Sequence, residues 1–100
     1  MVEAIPDEVI FAYYRGRCVL CWVRPAVTIH EIEPRSKRPK TWREFENRAP
    51  LDAYCHAAVT ANTGAMAERI RENRKGLVHL LYGDRPPSVR DPRGTTNPFP

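Results

Sequence analysis

The sequence predicts a small α+β domain stapled by a metal, with a helix before the staple and helices after it. Three observations predict it. Cys18-x2-Cys21, with a third cysteine at position 55, has the spacing of a zinc knuckle. Residues 26–32, Ala-Val-Thr-Ile-His-Glu-Ile, are rich in the β-branched types of a strand. Helix start and stop residues bracket the segments on either side. One hundred residues allow one domain with a modest core, which is where a staple matters most.

Pro6, Asp7 and Glu8 open the N-terminal helix, because proline is pre-set for the first turn and acids suit the positive end of the dipole. Val9, Ala12 and Tyr13 are its expected inner face, and Gly16 its end. The knuckle follows, then the strand over 26–32, which Pro34 stops. Residues 35–43 form a loop carrying Arg35, Lys37, Arg38, Lys40 and Arg43, with Trp42 among them and no acid. A short extended piece comes next, around 48–51. Asp52 is placed to cap a helix over about 53–62, and Thr63 another that Gly76 ends after about residue 75. The apolar stretch 77–82 docks back on the domain. The expected organisation is one domain over 1–82 and a Pro/Arg-rich mobile tail over 83–100.

Sixteen Lys and Arg against twelve Asp and Glu give a net charge of +4, which favours an anionic partner only where the charge is clustered. The apolar run 9–14 is far too short for a bilayer. Glu3, Asp7 and Glu8 precede any basic residue, the wrong polarity for a secretory signal, so the expected location is the cytoplasm, away from membranes. There, three cysteines point to metal rather than to disulfides.

The second half of the zinc site is Asp52-x2-Cys55. A carboxylate oxygen binds zinc, so Asp52 either completes a tetrahedron with three thiolates or serves only as a helix cap. His30-Glu31 ends the expected strand, Asn47 follows the basic loop, and His56 begins the helix after Cys55. A strand and a helix start held by one knuckle can bring two imidazoles to one divalent ion, which polarises a phosphate oxygen. Taken singly, each histidine reads as an ordinary polar side chain.

Cys18-x2-Cys21, Ile29-His30-Glu31-Ile32-Glu33-Pro34-Arg35-Ser36, Glu46-Asn47-Arg48 and Cys55-His56-Ala57-Ala58-Val59 together resemble the His-Asn-His (HNH) endonucleases, particularly small bacteriophage versions. The resemblance spans roughly residues 15–62. It implies a ββα-metal fold backed by a structural zinc on Cys18, Cys21, Asp52 and Cys55. It also implies a catalytic divalent ion (Mg2+, Mn2+, Ni2+ or Zn2+) on His30 and His56. Asn47 matches the asparagine that braces the loop and orients the base. Glu31 stands where the family has its histidine base. The implied partner is DNA, contacted through Arg35, Lys37, Arg38, Lys40 and Arg43. A phage terminase or other packaging protein is a further one, in the host cytoplasm if the chain is phage-encoded.

The chain departs from that pattern at three positions. Asp52 replaces a zinc cysteine, Glu31 replaces the base, and Thr60 replaces a metal histidine one turn after His56. Glu31 either takes a proton from water, though a carboxylate is a weaker base than imidazole, or binds the ion itself. The expected function is a metal-dependent DNA endonuclease. The alternatives are an inactive zinc module that binds DNA or a partner protein, and a purely structural zinc domain.

Overall fold

A computed structural model describes residues 5–87 together with 89–90 and 96–97. Helix α1 covers Asp7–Tyr13, strand β1 Thr28–Glu31, strand β2 Arg48–Leu51, helix α2 Ala53–Ala61 and helix α3 Thr63–Tyr82. Strands β1 and β2 pair antiparallel, with Thr28 opposite Leu51 and His30 opposite Ala49. The protein is thus a small α+β structure built on a two-stranded sheet and three helices.

Helix α1 turns a different face inward from the expected one. Ile10, Tyr13 and the following Tyr14 are buried, whereas Val9 and Ala12 are exposed. Three large side chains outweigh a pattern that includes alanine, because burial energy scales with apolar area. Tyr13 packs edge-on to Phe45 at 5.0 Å between ring centres, and Tyr14 lies parallel to Phe45 at 6.0 Å. The Arg48 guanidinium ties the helix to β2 by donating to the Ile5 carbonyl and pairing with Asp7.

The knuckle hangs on the sheet by its backbone. Val19 N donates to Pro50 O at 3.0 Å and Val27 N to Leu51 O at 2.9 Å. Inside the turn, Cys18 N donates to Arg24 O and Trp22 N to Cys18 O, with Trp22 at φ 68°. A positive φ at a bulky residue is costly, so contacts must hold Trp22 there. Its indole Nε1 donates to both Val19 O and Asn73 O at 3.0 Å.

Helix α3 does not stop at Gly76. It runs on to Tyr82 and ends at Gly83, whose φ of 69° supplies the left-handed turn. The stretch 77–82 is therefore the last turns of a helix that buries Ile70, Leu77 and Val78. Gly76 serves close packing, because Trp22 lies against it. Asn62, and not Thr63, occupies the N-cap position.

After α3 the chain stays on the domain for a few residues, where the Tyr13 hydroxyl donates to Pro87 O at 2.8 Å. Two short strands, β3 (Val89–Arg90) and β4 (Thr96–Asn97), pair antiparallel within the segment expected to be a mobile tail. The rest of that segment, 88, 91–95 and 98–100, lies outside the described residues. Among the described residues no helix is long and apolar enough to cross a membrane.

Candidate metal centre

Asp52 leaves β2 in extended backbone and begins α2, so its carboxylate sits where the knuckle meets the helix. Oδ1 accepts from Cys55 N at 2.9 Å, and Oδ2 accepts from Cys21 Sγ at 3.0 Å. The two roles weighed from sequence, cap and ligand, are thus divided between its two oxygens. The donor atoms of Cys18, Cys21, Asp52 and Cys55 all lie within 4.8 Å of one another. Thiolates around a tetrahedral zinc sit roughly 3.8 Å apart at Zn–S of about 2.3 Å, so the cluster needs only a small contraction. Three sulfurs and one carboxylate oxygen can hold a metal ion such as zinc.

Burial pushes the Cys18 and Cys55 thiols up, and the Asp52 carboxylate adds to the effect at Cys55. Burial also opposes ionisation of Asp52, but the hydrogen bonds from Cys21 and from the Cys55 backbone outweigh it. They hold that carboxyl well below the usual range. Cys18 and Cys55 thus hold their protons beside an ionised Asp52, and a coordinated metal ion would displace those protons.

His30 on β1 and His56 on α2 face one another with ring centres 5.7 Å apart and planes 62° apart. Two imidazoles sharing an ion at about 2.0 Å hold their ring centres roughly 5 Å apart. The rings line a cleft of about 350 Å³ with Glu31, Ile32, Pro34 and Thr63. The Thr28 hydroxyl contacts His56 Nδ1 at 3.0 Å and donates to Leu51 O at 3.4 Å. The tautomer that fits both contacts has Nδ1–H donating to Thr28, which leaves the Nε2 lone pair for a ligand. Burial lowers the His30 pKa and the neighbouring His56 lowers it further, against a smaller opposing pull from Glu31. Both effects favour the neutral imidazole, the form that binds metal.

Three side chains near the histidines are engaged by other groups. Glu31 forks onto Arg35 at 3.2–3.4 Å, and Glu33 pairs with Arg71 at 3.0 Å. The Thr60 hydroxyl donates to His56 O at 2.9 Å, back along its own helix. Among the described residues, the cysteine–aspartate cluster is the one group of three or more His, Cys, Asp or Glu donors close enough to hold an ion.

Asn47 is buried and fastens the loop at both ends. Its Oδ1 accepts from Glu33 N at 2.8 Å, and its Nδ2 donates to Glu33 O and Trp42 O, both at 3.0 Å. The five loop cations divide. Arg38 is turned onto Glu44 and Glu46, acids lying just past the segment that contains none, and onto Thr41 within it. Arg35 stacks on the Trp42 ring at 3.7 Å and Arg43 at 4.6 Å. Lys37 and Lys40 are exposed. Sequence reasoning missed three participants: Thr28, Thr63 and the platform role of Trp42. Thr28 was within reach, since two residues before His30 on a strand is the same face.

No protein-family model, no curated protein and no solved structure matches the chain.

Proposed function

We propose that this chain is a zinc-stapled, metal-dependent DNA endonuclease of the HNH type, nicking or cleaving phosphodiester bonds. The observation that carries the reading is the His30–His56 pair, with ring centres 5.7 Å apart over a cleft. The order β1, loop, β2, α2, with the four-donor cluster behind it, supports the ββα-metal assignment.

His30 and His56 would hold the divalent ion, Mg2+, Mn2+, Ni2+ or Zn2+. When bound, such an ion polarises a phosphate oxygen and stabilises the leaving 3′ oxygen. The chain's own groups do the rest. Thr28 orients His56, burial favours the neutral form of His30, and Asn47 holds the loop beside the cleft. Glu31 lines the cleft and, once released from Arg35, is the proton acceptor for the attacking water. Arg35, Lys37, Lys40 and Arg43 supply phosphate contacts that carry no sequence information. In a phage, such an enzyme would act beside the terminase during packaging, a role resting on the family resemblance alone.

The test is nicking of supercoiled plasmid with magnesium, manganese, nickel or zinc, with chelator and His56→Ala as controls. Nicking that needs metal and is lost in His56→Ala supports the assignment. Intact plasmid under all four metals overturns it.

A second reading, an inactive HNH-derived zinc module that binds DNA or a partner protein, is favoured by two contacts. The Thr60 hydroxyl is engaged with its own helix, and Glu31 is engaged with Arg35. It requires salt-sensitive DNA binding that survives His30→Ala, with no nicking under any metal.

A further inference from the structure

Glu31 belongs to the histidine cleft, yet its carboxylate is held by a side chain from outside it. Arg35 Nε reaches Oε1 and Oε2 at 3.3 and 3.4 Å, and Nη2 reaches Oε2 at 3.2 Å. The Arg35 side chain is 64% exposed against 28% for Glu31, so its guanidinium stands at the rim while the acid lies deeper. Its other face rests on the Trp42 ring at 3.7 Å, and the Trp42 carbonyl is bonded to buried Asn47. Arg43 approaches the same ring at 4.6 Å. Two guanidinium groups are therefore presented on one anchored aromatic plate, and one of them occupies the carboxylate of the cleft.

We propose that Arg35 is a positioning residue with two partners, Glu31 in the free protein and a backbone phosphate of duplex DNA in the complex. The exchange is physically easy. An exposed ion pair four residues apart is weak, whereas a backbone phosphate accepts the same fork with equal charge and adds counterion release. The Trp42 plate keeps the guanidinium in place while it changes partner, so little side-chain freedom is lost. Release leaves the Glu31 carboxylate facing His30 and His56, so the cleft acquires its acid when a DNA backbone is present. This rests on the proposed DNA-directed function of the same cleft.

The experiment is a double-mutant cycle on binding to a short DNA duplex, read by fluorescence anisotropy without added divalent metal. Glu31→Gln frees Arg35 and should tighten binding about threefold, the equivalent of an exposed ion pair. Arg35→Gln should weaken binding about tenfold and lower the salt slope by about one. The decisive arm is the pair together. In the Arg35→Gln background, Glu31→Gln should no longer tighten binding, because no guanidinium remains to free. Glu72→Gln, which makes the same charge change at an exposed position on α3, should tighten less than Glu31→Gln. If Glu31→Gln tightens equally with and without Arg35, the effect is net charge and the exchange is overturned. Absence of DNA binding in every arm also overturns it. Plasmid nicking with an additive cycle sinks the exchange alone. A coupled cycle without nicking supports the exchange and sinks the nuclease.

Discussion

The indole of Trp22 lies over Gly76 so closely that a Cβ on that glycine would come within 2.7 and 2.9 Å of the ring carbons Cζ2 and Cη2. The ring cannot easily yield, because its Nε1 is bonded to Val19 O and Asn73 O. Alanine gains about 1 kcal/mol over glycine in a helix interior, but overpacking costs about 1–3 kcal/mol. Gly76→Ala is therefore expected to lose about 1 kcal/mol net. Gly64, in the first turn of the same helix, meets nothing within 4 Å, so Gly64→Ala should be neutral or stabilising. The urea midpoint of Gly76→Ala should fall, and that of Gly64→Ala should hold or rise. A stabilised Gly76→Ala would show that the knuckle does not press on α3.

That contact also shows where the sequence was legible. The knuckle, the Asp52 cap and the strand around His30 were readable because each is written in residues close along the chain. Asp52 and Cys55 are three residues apart, and Thr28, Ile29 and His30 are consecutive. The continuation of α3 through Gly76 was not readable, since the reason for that glycine is an indole from the knuckle. The inner face of α1 depends on Phe45, and the inward turn of Arg38 depends on Glu44 and Glu46. For the candidate site, sequence identified the two histidines that the structure draws together, but not the contacts that turn Glu31 and Thr60 away.

Asp52 should be separable into its two roles. Asparagine is as good a helix cap as aspartate, so Asp52→Asn keeps the bond from Cys55 N but replaces the carboxylate facing Cys21. Zinc affinity, measured by competition with a chromogenic chelator, should fall, while α2 survives at saturating zinc. Asp52→Cys should hold zinc more tightly and forfeit the cap, about 0.5–2 kcal/mol. Equal zinc affinity in all three proteins would exclude Asp52 from the metal.

Asn47 makes three hydrogen bonds from a buried position. Asn47→Ala leaves Glu33 N and the Glu33 and Trp42 carbonyls without that partner, at about 1–3 kcal/mol for each group that stays dry. A net loss of about 3 kcal/mol is expected, with increased hydrogen exchange across residues 33–42. Asn47→Asp should do comparable damage, because a carboxylate would then face two carbonyls. A destabilisation below about 1 kcal/mol would mean that water replaces the amide and the loop does not depend on it.

Stability should fall on the alkaline side. Burial pushes the Tyr13 hydroxyl up to about 12, with Tyr82 adding to the shift, and burial raises Tyr14 as well. Below about pH 10 both folded and unfolded chains keep these protons, so the contribution is complete. Between 10 and 12 the unfolded chain releases them first and binds fewer protons, so stability declines as pH rises. Urea midpoints measured through this range should slope downward, and Tyr13→Phe should flatten the slope. An unchanged slope in that variant would place the titration elsewhere.

Thr60 offers the sharpest test of the histidine cleft. It lies one turn after His56 on α2, and residues four apart on a helix present side chains to the same neighbourhood. Its hydroxyl is bonded to His56 O, so it contributes no donor atom to the cleft. Thr60 is exposed, and its replacement by a longer ring displaces no core side chain. Thr60→His would add a third imidazole beside two whose centres are already 5.7 Å apart. With the cysteine cluster first saturated by zinc, Thr60→His should bind a second equivalent of zinc or nickel at least about tenfold more tightly than the parent, read by calorimetry. His56→Ala in the same background should remove that gain. If Thr60→His binds the second ion no better than the parent, then His30 and His56 do not face a common cation.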